Sequence, residues 1–138
     1  MRAGEHPGLA AYIDTSVLVA AMAPDERQHT AALRWMRRQK GGLVTSVLAE
    51  VELRRALARR GAPPALHLVA KQLLEGCELI DVSQAIRARA IDVRPRIVRS
   101  LDAIHIATAL VAGLRDFATY DLRQRVGAEE MGLVAVPD

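Results

Sequence analysis

The sequence has 138 residues and a formal net charge of +3; 51% of the residues are hydrophobic, 25% are charged and 3% are aromatic. This length suits one domain with a continuous core, and the balance of residue types excludes a disordered chain. The shortage of aromatic rings argues against a protein that binds nucleic acid by base stacking. We therefore expect a single domain over residues 1–138, with a flexible N-terminal arm at residues 1–8.

The basic residues are relevant to whether the protein binds nucleic acid. Lys40 and Lys71 are the only lysines, so nearly all the basic residues are arginines. Arginine forks bind phosphate and suit nucleic acid, although a biased genomic base composition would explain the same count.

Cys77 has no partner for an internal disulfide, and we expect it to be a small core residue. No apolar stretch is long enough to cross a bilayer, so we expect a cytoplasmic protein that contacts no membrane.

Short apolar runs alternate with helical patterns along the chain. In chain order, the apolar runs predict strands at 9–13, 43–45, 77–82, 115–119 and 133–137. The helical patterns lie at 15–22, 26–39, 46–60, 63–76, 83–94, 100–112 and 122–131. Asp25 and Ser46 are the predicted N-caps of the second and third helices. Strands that alternate with helices predict a parallel sheet covered on both faces.

Four carboxylates lie at unusual positions in this pattern. Asp14 and Asp121 follow the first and fourth strands, and ligands bind beyond the carboxyl ends of parallel strands. Glu52 and Asp102 lie among apolar residues of their helices. Each acid also has an ordinary explanation, because an aspartate before a helix caps it and an acid in the first turn favours the helix dipole. Those explanations do not account for all four acids meeting on one sheet.

Glu52 differs from its neighbour Glu50. Glu50 lies four residues before Arg54, which is the spacing of an exposed ion pair on a helix. Glu52 has Leu48 and Ala56 at that spacing, so it lies on a largely apolar sector. A carboxylate held against a core needs a partner or a metal ion, and Glu52 is therefore the inward candidate.

An acidic cluster of this kind predicts a metal site. Carboxylates at one place raise each other's pKa unless a divalent cation neutralises them. A ligand set made only of oxygen atoms favours a hard ion, Mg²⁺ or Mn²⁺. Such an ion polarises a phosphoryl oxygen and activates water, so the cluster suits hydrolysis of phosphodiester bonds.

At this point the sequence resembles the PIN-domain family, and within it the VapC-type toxins of prokaryotic toxin–antitoxin pairs. The resemblance covers residue 10 to the end and rests on four segments in the order YIDTSVLV, TSVLAEVELRRAL, RSLDAIHIATAL and FATYDLRQ. It implies a three-layer α/β/α sandwich with a mainly parallel five-stranded sheet. It also implies an endoribonuclease in which Mg²⁺ is held by four catalytic acids: Asp14, Glu52, Asp102 and Asp121. Thr15, Ser16 and Thr119 match polar positions that orient ligands or the substrate phosphate.

The same resemblance implies partners. These are a cognate VapB-type antitoxin that inhibits the enzyme, an RNA substrate (transfer, ribosomal or messenger RNA), and a homodimer or a toxin–antitoxin hetero-oligomer. The apolar surface of the first two helices is a candidate for either protein interface.

Four further positions carry alternatives. Arg55 and Arg59 share a helix face with Glu52 and could guide the RNA backbone, or they could form a solvated basic face. His105 could act as a general base, although a histidine in an apolar helix more often hydrogen-bonds to its neighbours. Trp35 is expected to pack rather than to stack on a base.

Two other functions remain open from the residues. One is another metal-dependent nuclease or phosphatase, although Ser16 stands where a dehalogenase-type phosphatase would carry a second aspartate. The other is a catalytically inactive PIN module that binds RNA or protein, which the loss of one of the four acids would indicate.

Overall fold

The computed structural model describes residues 10–137, and the predicted arm at residues 1–8 lies outside them. Within this range the strands are β1 Ala11–Ile13, β2 Leu43–Ser46, β3 Cys77–Ile80, β4 Asp116–Ala118 and β5 Val134–Val136. The helices are α1 Thr15–Met22, α2 His29–Arg37, α3 Val47–Arg59, α4 Pro64–Glu75, α5 Gln84–Ile91, α6 Ser100–Val111 and α7 Leu122–Glu130. No helix in the described part of the chain is long and apolar enough to span a membrane.

The five strands form one sheet in the order β3-β2-β1-β4-β5, and every pairing is parallel. In the central strand, Tyr12 is paired in register with Val44 on one side and Phe117 on the other. The chain builds the sheet outward from β1 to β3 and then returns to add β4 and β5 on the opposite side. The switch point therefore lies between β1 and β4, and ligands of such sheets bind beyond the strand ends there.

Alternation along the strands divides the core into two layers. Tyr12 and Phe117 face a cluster formed with α5, α6 and α7, whereas Ile13 and Ala118 face a cluster formed with α1 to α4. Both faces of the sheet are thus covered by helices, and the predicted three-layer α/β/α sandwich is confirmed. Trp35 lies in the second cluster, so its predicted packing role is also confirmed. Cys77 is half-buried and packs against that cluster.

The second helix begins later than predicted. It starts at His29 after Gln28, which makes no side-chain cap, so Asp25 is not its N-cap. The reason is tertiary: the carboxylates of Asp25 and Glu26 form ion pairs with Arg60 at the end of α3. These residues are therefore held in a loop rather than at the start of a helix.

Other differences are smaller. Ser46 does cap α3, by accepting a hydrogen bond from the backbone N–H of Leu48 at 3.1 Å. The third strand ends at Ile80 and α5 ends at Ile91, both earlier than predicted. The expectation that the apolar residues of α1 and α2 form an external interface is wrong for most of them, because they are buried in the chain's own core.

One glycine brings two helices of the site together. A Cβ atom at Gly127 of α7 would meet the Val98 side chain at 2.7 Å and the Ile106 side chain of α6 at 3.0 Å. Only a glycine permits this approach without displacement of its neighbours. The first turns of the two helices also meet, because Gln124 Nε2 of α7 donates a hydrogen bond to the Asp102 carbonyl of α6 at 3.4 Å.

Candidate active site

Asp14 lies at the switch point, between the end of β1 and the start of α1, and its side chain is buried. Its Oδ1 accepts hydrogen bonds from the Ser16 backbone N–H at 3.0 Å, the Ser16 hydroxyl at 2.6 Å and the Val17 N–H at 3.4 Å. Its Oδ2 accepts one from the Thr119 hydroxyl at 2.6 Å. Burial raises the pKa of Asp14, and the hydrogen bonds from Ser16 and Thr119 oppose this only in part. Asp14 is therefore both the N-cap of α1 and a carboxylate at the site.

The hydroxyls of Ser16 and Thr119 also connect the turn after β4 to the turn after β1 through hydrogen bonds. Besides bonding to Asp14, the Ser16 hydroxyl accepts from the Tyr120 backbone N–H at 2.9 Å. The Thr119 hydroxyl accepts from the Asp121 N–H at 3.0 Å. Asp121 then caps α7 through hydrogen bonds to two backbone N–H groups of its first turn. Ser16 and Thr119 thus fix the separation of the two strand ends.

Glu52 reaches the site from α3 and is half-buried, whereas Glu50 is exposed, as the helix-face argument predicted. One oxygen, Oε1, accepts hydrogen bonds from the Thr15 hydroxyl at 2.6 Å and from His105 Nε2 at 2.7 Å. Burial would raise the pKa of Glu52, but the hydrogen bond and charge of His105, together with the Thr15 hydroxyl, lower it overall. Glu52 is therefore stabilised in its charged form.

His105 was not assigned to the site from the sequence, yet it contacts a site acid. It is buried in α6, its Nε2 bonds to Glu52, and its Nδ1 lies 2.5 Å from the Tyr12 hydroxyl. The sequence did contain one signal, because His105 follows Asp102 by three residues and shares its helix face. Tyr12 lies 93 residues away in the chain and carried no such signal.

Asp102 lies in the first turn of α6 and is half-buried. Among the described residues, none donates a hydrogen bond to its carboxylate; Gln124 Nε2 bonds instead to its backbone carbonyl at 3.4 Å. Burial and the nearby charges of Asp121 and Glu52 raise the pKa of Asp102, and His105 and Arg99 oppose them. Asp102 is thus a carboxylate that meets like charge without hydrogen-bonding compensation from the described residues.

All four acids line one small cavity of about 160 Å³ at the carboxyl ends of β1 and β4. Its full lining consists of Asp14, Thr15, Ser16, Glu52, Asp102, His105, Asp121 and Gln124. The predicted residue Thr119 lies behind Asp14 rather than on this lining. Gln124 was missed from the sequence, since its position in the first turn of α7 carries no chemical signal.

The donor chemistry of this cavity fits a hard divalent cation, because its ionisable oxygens are carboxylates and its neutral oxygens are hydroxyl or amide groups. Within residues 10–137, however, no three acidic, cysteine or histidine side chains converge as a ready-made set of direct ligands. An ion with few direct carboxylate contacts and several retained water molecules, as Mg²⁺ prefers, is compatible with both observations.

A larger cavity of about 820 Å³ adjoins the acids and shares Thr15, Ser16, Glu52 and Asp121 with the smaller one. Its lining also includes Arg55 and Arg59, both exposed, so the predicted pair of arginines does flank the site. The neighbouring Arg54 and Arg60 are engaged elsewhere, with His67 and with Asp25 and Glu26. Among described residues, neither Arg55 nor Arg59 has an ion-pair partner.

Known proteins resemble this chain in sequence. A model of the PIN domain matches residues 11–130. The chain is 36% identical to ribonuclease VapC47 of Mycobacterium tuberculosis over an alignment of 128 residues that covers 89% of this chain and 93% of that protein. It is 33% identical to ribonuclease VapC46 of the same species over 129 residues, covering 92% of this chain and 96% of the relative.

Solved structures resemble it in fold. The crystal structure of M. tuberculosis VapC20, a toxin that cleaves the sarcin–ricin loop, superposes with a TM-score of 0.75 at 19% identity, over 93% of this chain and 99% of that one. A chain of a toxin–antitoxin complex from Klebsiella pneumoniae gives 0.68 at 22% identity, over 90% and 95%. At these low identities the solved structures show a shared fold only, whereas the sequence relatives show the family. The chain belongs to the PIN-domain family, among the VapC ribonucleases.

Proposed function

We propose that this protein is a metal-dependent endoribonuclease and the toxin of a toxin–antitoxin pair. One observation carries the proposal: carboxylates from four separate parts of the fold line a single cavity at the switch point of the sheet. The names of the sequence relatives, which are ribonucleases, support the reaction class. The four acids Asp14, Glu52, Asp102 and Asp121 are the proposed catalytic residues.

The proposed cofactor is Mg²⁺, with Mn²⁺ as a substitute. Asp102 is the strongest candidate for direct contact, because its carboxylate receives no hydrogen bond from a described residue and lies near like charges. Asp14 would contribute an oxygen whose orientation Ser16 and Thr119 fix, and Glu52 and Asp121 would act partly through water. When bound, such an ion polarises the phosphoryl oxygen and lowers the pKa of its water.

The chain's own side chains have separate tasks in this proposal. The exposed guanidinium groups of Arg55 and Arg59 would contact the phosphates on either side of the cleaved bond, because arginine forks match phosphate oxygens. The hydroxyl of Thr15 holds Glu52 at 2.6 Å, and that of Ser16 holds Asp14 at the same distance. These bonds orient the acids before the RNA arrives. In the proposed reaction water attacks the phosphorus and the 3′-oxygen leaves, which gives a 3′-hydroxyl and a 5′-phosphate.

The proposed inhibitor is a VapB-type antitoxin. A segment that lies in the larger cavity could place a basic side chain among the acids, since a guanidinium satisfies the same carboxylate oxygens that would hold the ion. The exposed apolar side chains of Val51 and Leu101 line this cavity and offer contacts to such a segment. RNA and antitoxin would then compete for one site.

The test is cleavage mapping on total cellular RNA. Purified wild type and Asp14→Asn are incubated with the RNA and Mg²⁺, with and without EDTA, and new 5′ ends are sequenced. We expect a few discrete cuts that disappear with EDTA and in the variant. Identical patterns from wild type and variant would refute the nuclease assignment and favour a PIN module that only binds. Addition of the proposed VapB-type antitoxin should suppress the same cuts.

A further inference from the structure

Glu52 is held at the site by two other side chains, Thr15 and His105. It projects from a helix through a flexible chain, and a glutamate in that setting samples several rotamers. Both hydrogen bonds that it receives from described residues go to Oε1, from Thr15 and His105. Its Oε2 receives none from them, so one oxygen is anchored while the other remains available to a ligand.

His105 in turn is held on its far side by Tyr12. Since a carboxylate only accepts hydrogen bonds, the His105 Nε2 must carry the proton that it shares with Glu52. The opposite ring nitrogen lies 2.5 Å from the Tyr12 hydroxyl. Both side chains are buried, and the Tyr12 ring stacks on Phe117 with centroids 5.1 Å apart and planes 6° apart. The imidazole therefore cannot turn without breaking a buried contact.

The Tyr12–His105 pair also lies close to two other acids along the chain. Tyr12 lies two residues before Asp14 on the central strand, and His105 lies one helical turn after Asp102 on α6. A hydrogen-bonded line thus runs from β1 through α6 to the carboxylate of α3. A buried polar pair of this kind costs desolvation that apolar side chains of similar volume would avoid, so stability alone does not account for it.

We propose that the buried Tyr12–His105 pair positions the Glu52 carboxylate for binding of a divalent ion. His105 is then a positioning residue, and neither it nor Tyr12 touches the RNA. The inference rests on the proposed function, because it concerns the same acids. It adds that metal affinity depends on a side chain that is not itself a ligand, and loss of such a partner weakens metal affinity by about 10- to 100-fold.

The chain allows a matched set of variants. In His105→Gln the amide nitrogen stands the same number of bonds from the backbone as Nε2 and can donate to Glu52. In His105→Asn the amide is one bond shorter and reaches only towards Tyr12, and His105→Leu removes both polar contacts. Thr108→Val is the control, since Thr108 is buried on the same helix but bonds only to the Ile104 carbonyl at 2.6 Å.

The experiment is calorimetric titration of Mn²⁺ into each RNA-free protein, with thermal unfolding measured in parallel. We expect His105→Asn and His105→Leu to bind Mn²⁺ about 10- to 100-fold more weakly than wild type. Thr108→Val should stay close to wild type. His105→Gln keeps the donor to Glu52 but loses the contact with Tyr12, so it should bind Mn²⁺ more tightly than His105→Asn, whatever the melting temperatures. If His105→Leu does not fold, the Gln and Asn variants decide the question by themselves.

The outcomes separate this inference from the proposed function. Wild-type affinity in all folded His105 variants would overturn the positioning role alone, because the metal site would persist without it. Failure of the wild type to bind Mn²⁺ at all would overturn the proposed metal site, and the positioning role with it. The inference would also be overturned if His105→Gln bound Mn²⁺ as weakly as His105→Asn. Binding would then not depend on whether the side chain at residue 105 can reach and donate to Glu52.

Discussion

The two halves of the acid cavity are built differently. In the half formed by Asp14, every carboxylate oxygen accepts hydrogen bonds from Ser16, Val17 or Thr119, and the side chain is buried. In the half formed by Asp102, no described residue donates to the carboxylate, and burial, with a further contribution from neighbouring acids, raises its pKa. The fold therefore holds the Asp14 carboxylate in place before any ion binds, whereas the Asp102 carboxylate would need an ion to offset the like charges around it.

Replacement of Asp14 should have the largest effect. The Asp14→Ala variant loses the N-cap of α1 and leaves the hydroxyls of Ser16 and Thr119 without their acceptor. Loss of the cap costs about 0.5–2 kcal/mol in the free energy of unfolding. We expect RNA cleavage to fall below detection together with that loss, measured by urea denaturation and by a cleavage assay. A variant as stable and active as wild type would show that this half of the cavity is not structural.

The two glutamates of α3 provide the next comparison. Glu52→Gln removes the charge at the carboxylate that Thr15 and His105 hold, and we expect a loss of activity of about 10- to 100-fold. Glu50→Gln lies two residues away on the exposed face and should cleave RNA at the wild-type rate. Initial rates under identical conditions measure both. If Glu50→Gln were the impaired variant, the assignment of the inward helix face would be wrong.

Addition of a divalent ion should stabilise the folded protein by binding in the half of the cavity formed by Asp102. At Mg²⁺ about 100 times its Kd, a ligand that binds only the folded state adds about 2.7 kcal/mol to the free energy of unfolding. We expect a rise in the melting temperature of wild type that EDTA reverses. Asp102→Asn should show little of this rise. An equal rise in both proteins would place the stabilising ion elsewhere.

Without any ion, the smallest expected effect is that of Asp102→Asn on the free energy of unfolding. This variant should be slightly more stable than wild type, whereas Asp14→Ala should be less stable. A raised pKa in the folded state means that the unfolded chain favours the ionised carboxyl, so wild-type stability falls as pH rises from the ordinary Asp pKa through the raised one. The amide cannot ionise, so above this window Asp102→Asn should be slightly more stable than metal-free wild type. Denaturation curves in EDTA at several pH values measure it. A less stable variant throughout would contradict the account of Asp102.

The sequence was most informative where local chemistry decides the structure. Apolar runs located all five strands, and Ser46, Asp14 and Asp121 cap the helices that follow them. It failed at the start of α2, because the pairing of Asp25 and Glu26 with Arg60 joins parts of the chain that only tertiary structure brings together.

The same distinction holds for the site: residues that local spacing identifies were predicted, and residues that only tertiary contacts bring there were not. Periodicity alone separated inward Glu52 from exposed Glu50. The contacts of His105 with Glu52 and Tyr12 span 53 and 93 residues, and no spacing rule reaches that far. The cavity lining by Gln124 likewise depends on how closely α7 approaches α6, which Gly127 permits.

The most direct test of the central claim is a crystal of the protein soaked in Mn²⁺, with anomalous diffraction recorded at the manganese absorption edge. The account predicts an anomalous peak inside the cavity lined by the four acids, closest to Asp102 and Asp14, and no peak there in Asp102→Asn. A wild-type map with no peak in that cavity, at Mn²⁺ concentrations that support RNA cleavage, would contradict it.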